Sequence, residues 1–247
     1  MITIGSLFSG IGGLESVLEA AGMKTIWQCE RDPYARAILA QNFPGVPCYD
    51  DITRLDPDAI ERPELLCGGF PCQPHSLLGK RAGSADERDM WGEFVRIIDR
   101  LRPRWVVAEN VASILTTDNG RFFKRILADL DALGFDAEWS VISACAVGAP
   151  HTRDRLFIVS HANGQQYKSN SPALGRQATA PVYPGGRAEW PPEPTISRVA
   201  YGIPNRLDRI RCLGNAVVPA VAETLGRLIV AANQASQPNP NQEKSNV

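Results

Sequence analysis

Short apolar runs alternate with stretches of helical period along the first two thirds of the chain. Residues 2–8, Ile-Thr-Ile-Gly-Ser-Leu-Phe, predict a buried strand, and Gly10, Gly12 and Gly13 predict a tight turn into a helix that runs through Ala21 and closes at Gly22. A second strand is expected over 25–29, a helix opened by Pro33 and ending at Asn42, and a third short strand over 46–49. The pattern continues with a strand at 64–67 and a helix whose stripe is Trp91, Phe94, Val95, Ile98 and Leu101. A strand over 105–108 follows, then a helix carrying Phe122, Phe123, Ile126, Leu127 and Leu130, then strands near 137–144 and 156–160. Such alternation predicts an α/β fold with a doubly wound, mostly parallel sheet and right-handed crossovers.

The pattern stops at His161. The 46 residues 161–206 contain 7 Pro and 5 Gly with no sustained period, which predicts a short irregular insertion. Helical period returns over 216–233, with Val217, Val221, Leu225, Leu228 and Ile229 as the apolar face. Residues 235–247 have little to bury and are expected to be a disordered tail. The organisation expected is therefore one domain of 1–160 plus 207–234, an insertion at 161–206, and the tail.

Composition narrows the classes. With 247 residues, 44% hydrophobic and 21% charged, the chain has enough apolar surface for a large core, which excludes global disorder. No run of about 18 apolar residues appears and no signal-type segment follows Met1, so a cytoplasmic protein without a membrane span is expected. The six cysteines lack CxxC spacing, so neither a metal site nor a disulfide framework is expected. The net charge of −1 is uneven: residues 1–150 hold 15 Lys/Arg against 21 Asp/Glu (−6), and 151–247 hold 11 against 6 (+5). A basic C-terminal part beside an acidic body suits a phosphate backbone as partner, or an ordinary solvated surface.

Five groups of residues carry chemistry. The turn Phe8-Ser-Gly10-Ile-Gly12-Gly13, between a strand and a helix, lets backbone approach a nucleotide-like ligand, although a tight βα turn needs glycine for packing too. Glu30 follows the glycines by about 20 residues, where a carboxylate can accept from ribose hydroxyls, and Asp51 with Ile52 follows the third strand near an adenine edge. Pro71-Cys72-Gln73-Pro74-His75-Ser76 follows the fourth strand, where open α/β sheets place their sites, and a thiol there can act as nucleophile once deprotonated. The next strand ends in Glu109-Asn110-Val111, which brings a carboxylate to the same sheet edge. In His151-Thr152-Arg153-Asp154-Arg155 a spacing of two on an extended segment points both guanidiniums to one face.

These blocks, in this order, resemble the cytosine-5 DNA methyltransferase family over residues 1–160 and 207–233. The resemblance implies S-adenosylmethionine as cofactor, held by Phe8, Gly10, Gly12, Gly13, Glu30, Asp51, Ile52 and by Asn215 of Gly214-Asn215-Ala216-Val217. It implies Cys72 as the nucleophile on carbon 6 of a flipped cytosine, and Glu109, Arg153 and Arg155 as catalytic partners. Gln73, Ser76 and Asn110 are implied as substrate contacts, with double-stranded DNA as partner and a monomer in solution. The chain departs from the pattern at Ser6, where Asp is usual, at His151, where Gln is usual, and at Arg31, where an aromatic often follows the acidic residue. No separate Arg/Ser/Glu motif precedes the short recognition segment.

Three other readings share part of this pattern. A tRNA cytosine-5 methyltransferase of the same family would share every catalytic block. A nicotinamide oxidoreductase would use the glycine turn and Glu30 but leave Cys72, Glu109 and Arg155 without a joint role. A DNA-binding member that needs a partner for activity is compatible with 46 irregular residues. Residues 161–212 hold 7 Lys/Arg and 3 Asp/Glu (+4) but can present few rigid base-reading groups, so a target on the order of two to four base pairs is expected.

Overall fold

The computed structural model describes residues 1–71, 90–149, 151–162 and 205–235. The first half-sheet follows the expected βαβαβ order: β1 (Thr3–Leu7), α1 (Gly13–Ala20), β2 (Lys24–Cys29), α2 (Pro33–Asn42) and β3 (Cys48–Tyr49). Asp32 caps α2 by accepting from the Tyr34 amide at 2.9 Å, and Pro33 sits at the first helical position, where a missing N–H costs nothing. The second half comprises β4 (Leu65–Gly69), α3 (Met90–Leu101), β5 (Trp105–Val111), α4 (Arg121–Ala132), β6 (Phe135–Ile142) and β7 (Arg155–Ala162). Two further helices, α5 (Arg206–Asn215) and α6 (Pro219–Ala235), end the described chain.

All the strands join one sheet in the order β3-β2-β1-β4-β5-β7-β6. Pairs β3 to β5 are parallel, whereas β7 runs antiparallel to both β5 and β6. Both faces are covered, as the strand sequences require. On β4, Leu65 and Cys67 face one apolar layer and Leu66 the other; on β5, Val107 opposes Val106 and Ala108. The first layer holds Leu14 and Leu18 of α1 with Val221, Leu225 and Ile229 of α6. The second holds Trp91, Phe94, Ile97 and Ile98 of α3 with Phe123, Ile126 and Leu130 of α4.

Several boundaries differ from expectation for local reasons. The strand expected near 137–144 is β6, which ends at Ile142 because Ala144 begins a 3-10 turn and donates its amide to the Thr152 carbonyl at 2.6 Å. On α3, Val95 is half-buried and Ile97 is fully buried. On α6, Leu228 is 40% exposed while the small residues Ala222 and Gly226 face α1; a side chain at Gly226 would meet the Cβ of Ala21 at 3.0 Å, so the two helices approach too closely for a bulky stripe. The α5 helix precedes the expected start at Ala216, and Ala235 is the last residue of α6. Of the insertion expected at 161–206, residues 161–162 belong to β7 and Arg206 opens α5, while 163–204 lie outside the described residues, as do 236–247 of the expected tail.

Candidate active site

The strand ends and the turns after them enclose a cavity of about 930 Å³. One wall is the glycine turn. Leu7 ends β1, Phe8 turns with φ 54° and Gly10 with φ 57°, and the Ser9 amide donates to the Cys29 carbonyl at 3.1 Å. A left-handed φ at a bulky aromatic is strained, and strain of this kind gathers at functional sites. Glu30 holds the turn to the end of β2: its Oε2 accepts from the Gly10 amide at 2.8 Å and its Oε1 from the Asp32 amide at 2.8 Å. No atom lies within 4 Å of where a Cβ of Gly10 would stand, so that stretch of backbone is open, and Gly10 lines the cavity.

Asp51 and Ile52 form the next edge. The Thr53 hydroxyl and amide, at 2.7 and 2.9 Å, hold the Asp51 carboxyl below the usual carboxylate range. Arg96 of α3 fixes this loop by donating to the Ile52 and Leu55 carbonyls at 2.6 and 3.2 Å, with its own charge met by Glu93 at 2.7 Å. Across the cavity Arg211 of α5 pairs with Asp32, and Gly214, Asn215, Ala216 and Val217 complete the lining.

The deeper end is built from β4, β5 and β7. Gly68 and Gly69 are required here by packing. A Cβ on Gly68 would sit 2.3 Å from the Leu7 carbonyl oxygen, and one on Gly69 would sit 2.8 Å from Oε2 of Glu109. Glu109 is 8% exposed; its Oε1 lies 2.9 Å from Nε of Arg155. Burial raises its carboxyl to about 7, against the opposing pull of Arg155 and Arg153. Arg155 reaches it because β7 is reversed: the start of β7 lies at the finishing ends of β4 and β5, with Arg155 opposite Val111 and thus diagonal to Glu109 on one face. Beside them, Asn110 donates from Nδ2 to the Phe70 carbonyl at 2.8 Å and accepts the Val111 amide on Oδ1 at 2.8 Å.

The cavity gathers most of the expected residues: Phe8, Gly10, Gly13, Glu30, Asp51, Ile52, Glu109, Asn110, Arg155 and Asn215 all line it. Three calls change. Gly12 (φ 85°) is not in the lining; a Cβ there would stand 2.3 Å from the Phe43 ring, so this glycine serves the packing of the turn on α2. Arg153 is not in the lining either. Its φ of 30° breaks the extended geometry that would have aligned it with Arg155, and its guanidinium donates to the Gly214 and Ala216 carbonyls, each at 2.6 Å. Asn110 spends its amide on backbone, fixing Phe70 rather than reaching into open space. Cys72, Gln73 and Ser76 lie outside the described residues, although the sequence attaches Cys72 directly to Pro71, which lines the cavity.

The described cysteines are poor nucleophiles where they meet the cavity. Burial pushes the Cys29 thiol up to about 12, and burial also raises Cys212. Among the described residues no group of three or more His, Cys, Asp or Glu is placed to hold a metal ion. Sequence reasoning missed Glu15, a fully buried carboxyl in the lining, and the Arg211–Asp32 pair. Pro33 was legible as the opening of α2; the pairing of Asp32 with Arg211 was not, because the partner lies far along the chain.

The glycine turn, the strand-end carboxylates and the Glu109–Arg155 pair thus stand at one edge of an α/β sheet, the edge at which open sheets of this class bind their ligands. The profile of the C-5 cytosine-specific DNA methylase family matches residues 2–193, and the chain belongs to that family. It is 36% identical over 159 residues to the type II methyltransferase M.MspI of Moraxella sp, covering 64% of this chain and 38% of that protein. It is 37% identical over 159 residues to the type II methyltransferase M.BsuFI of Bacillus subtilis, covering 64% and 39%. The chain thus spans less than half the length of these relatives. Among solved structures, Spodoptera frugiperda DNMT2 superposes with a TM-score of 0.60 at 22% identity, covering 72% of this chain and 54% of that one. A candidate DNA modification methyltransferase encoded within an E. coli prophage gives 0.57 at 25% identity, covering 66% and 47%.

Proposed function

We propose that the protein methylates carbon 5 of cytosine in DNA, with S-adenosylmethionine as methyl donor and Cys72 as covalent nucleophile. The observation that carries this reading is the Glu109–Arg155 pair, buried Glu109 with half-buried Arg155, in the cavity that Pro71 also lines. Family membership implies the cofactor, and the cavity fits it. In this reading Glu30 accepts from ribose hydroxyls, Asp51 and Ile52 meet the adenine, and the Gly10 backbone and Asn215 belong to the same cofactor site; the support is that all of them line the one cavity. When bound, S-adenosylmethionine supplies an electrophilic methyl group on sulfur.

Carbon 5 of cytosine is too weak a nucleophile to take that group unaided. The Cys72 thiolate adds to carbon 6, forming a carbon–sulfur bond and moving an electron pair toward ring N3. Glu109, with its carboxyl near 7, is poised to hydrogen-bond or protonate N3 and to accept from the exocyclic amine, while Arg155 stabilises the O2 side. Carbon 5 then takes the methyl group, loses its proton to a base, and the bond to Cys72 breaks as the ring regains aromaticity. Both ring faces must be reached, so the base must leave the duplex, at a cost of a few kcal/mol. Asn110, by fixing Phe70, and Arg153, by fixing the 214–216 turn, act as positioning residues. The target is assigned to the segment 161–206, on its basic and irregular sequence.

The test is a trapping assay. Duplex DNA carrying 5-fluorocytosine, incubated with cofactor, is expected to form a denaturation-resistant adduct with the wild-type chain and none with Cys72→Ala, which should still bind cofactor. Trapping on a structured RNA but not on DNA would move the assignment to the tRNA-acting branch. Adduct formation by Cys72→Ala would overturn the nucleophile.

A further inference from the structure

Glu15 is the third residue of α1, directly after the glycine turn, and it is completely buried. Only one of its oxygens is partnered: Oε1 accepts from Nε2 of Gln28 on β2 at 3.5 Å, and Oε2 has no hydrogen-bond partner. The groups around it are neutral. Ser6 on β1 and Ser9 in the turn bond to each other, Oγ to Oγ at 2.9 Å, and Cys67 on β4 is a buried thiol held protonated, in part by Glu15 itself. Cys48 on β3 is another thiol raised by burial, and no cation is among the groups that act on Glu15. Desolvation therefore raises its carboxyl, with the Ser6, Ser9 and Gln28 side chains pulling weakly the other way. An uncompensated carboxylate is expensive in such surroundings. Yet Ser6, Ser9 and Glu15 all belong to the wall of the cofactor cavity.

Resting on the cofactor reading above, we infer that Glu15 is a buried counter-charge behind the cavity wall, whose ionised form is favoured when a cationic ligand occupies the glycine turn. The ligand class is one that carries a positive charge at its amino-acid end, either the α-ammonium or the sulfonium of S-adenosylmethionine. Glu15 acts through space and through the Ser6 and Ser9 hydroxyls, not by contact, so it is a positioning residue. The balance is simple: the carboxyl loses one proton to solvent as the cation enters, and no bond to the ligand forms. By linkage, affinity for the cation must then rise with pH through the range in which empty Glu15 is protonated, and level off above it.

The experiment is titration calorimetry of the whole chain with S-adenosylmethionine and, separately, with S-adenosylhomocysteine, in buffers of different ionisation enthalpy between pH 6 and 8.5. Wild-type protein is expected to release a fraction of a proton on binding S-adenosylmethionine. In Glu15→Gln that release should disappear, with about ten-fold weaker binding, the equivalent of one pKa unit of coupling. Release with both ligands assigns the effect to the ammonium, and release with S-adenosylmethionine alone assigns it to the sulfonium; either outcome supports the inference. If Glu15→Gln folds poorly, Glu109→Gln, which removes the other carboxyl of the cavity that titrates in this range, should still release the proton. Binding without proton release by the wild type, or equal release by Glu15→Gln, would overturn the counter-charge while leaving the cofactor reading intact. No binding of either ligand to the wild type would refute the cofactor reading, and the inference with it.

Discussion

The strongest internal test is the pH dependence that Glu109 imposes on stability. Its carboxyl stands at about 7 in the folded protein against a reference of 4.5, a difference of ~2.5 units, or about 3 kcal/mol at ~1.36 kcal/mol per unit. The sign follows from which state holds the proton. Below 4.5 both folded and unfolded chains are protonated, and the group adds no slope. Between 4.5 and 7 the unfolded chain is ionised while the folded one keeps its proton, so stability falls as pH rises. Above 7 both are ionised, and the loss, a sizeable part of a typical 5–15 kcal/mol, is complete. Glu109→Gln mimics the neutral form at every pH. Urea unfolding of both proteins from pH 4 to 8.5 should therefore show the variant gaining relative to wild type by about 3 kcal/mol between 4.5 and 7, with little further gain above it. Glu15, also raised, contributes with the same sign but is present in both proteins and cancels in the difference. In single-turnover methyl transfer the same variant should lose on the order of 10²- to 10⁴-fold, because it removes the group poised to transfer a proton. Parallel pH–stability curves for the two proteins would refute the argument that burial dominates at Glu109.

Other consequences follow from single contacts. Arg153→Ala frees the Gly214 and Ala216 carbonyls, so cofactor KM should rise about ten-fold with a smaller change in kcat, and Arg153→Lys should recover part of the loss. Gly68→Ala would drive a Cβ onto the Leu7 carbonyl and is expected to destabilise by more than about 2 kcal/mol, whereas Gly10→Ala, strained only by its φ of 57°, should cost about 1 kcal/mol; thermal denaturation compares them. The target site is expected to be on the order of two to four base pairs, because each rigid bidentate contact gives only ~1–3 kcal/mol and the segment is short; methylation mapping in a methylation-free host checks it, and a strict site of six or more would contradict it.

What was legible from the sequence was whatever is local in the chain. Pro33 set the start of α2, and the period of 3.6 over 91–101 set α3, because helix opener and stripe are properties of neighbouring residues. The strand ends that carry Glu30, Asp51 and Glu109 were placed the same way. The missed features are tertiary. The α5 helix leaves Leu207 at 80% and Leu213 at 66% exposed, so no apolar stripe announces it; Arg211 to Asp32 and Arg153 to the carbonyls at its end tie it down instead. Gly12 looked like a ligand-binding glycine, but Phe43, some thirty residues on, decides its role. The two arginines at a spacing of two shared a face only on the premise of an extended chain, and β7 does not begin until Arg155.

That divergence lets one short segment hold two parts of the site. Because β7 is antiparallel between β5 and β6, the chain enters it at the edge where the parallel strands finish, which is where a doubly wound sheet keeps its chemistry. A parallel β7 would deliver its first residues to the opposite edge, some seven residues of strand away from Glu109. Entering as it does, the segment meets the turn after α5 with Arg153 and the end of β5 with Arg155, two residues apart. Loss of order at the 214–216 turn is thereby felt at the start of β7, and so at the partner of Glu109. Under the proposed function, the cofactor turn and the base pocket are joined through three residues of backbone, and Arg153→Ala should weaken the Arg155–Glu109 pair without touching either side chain.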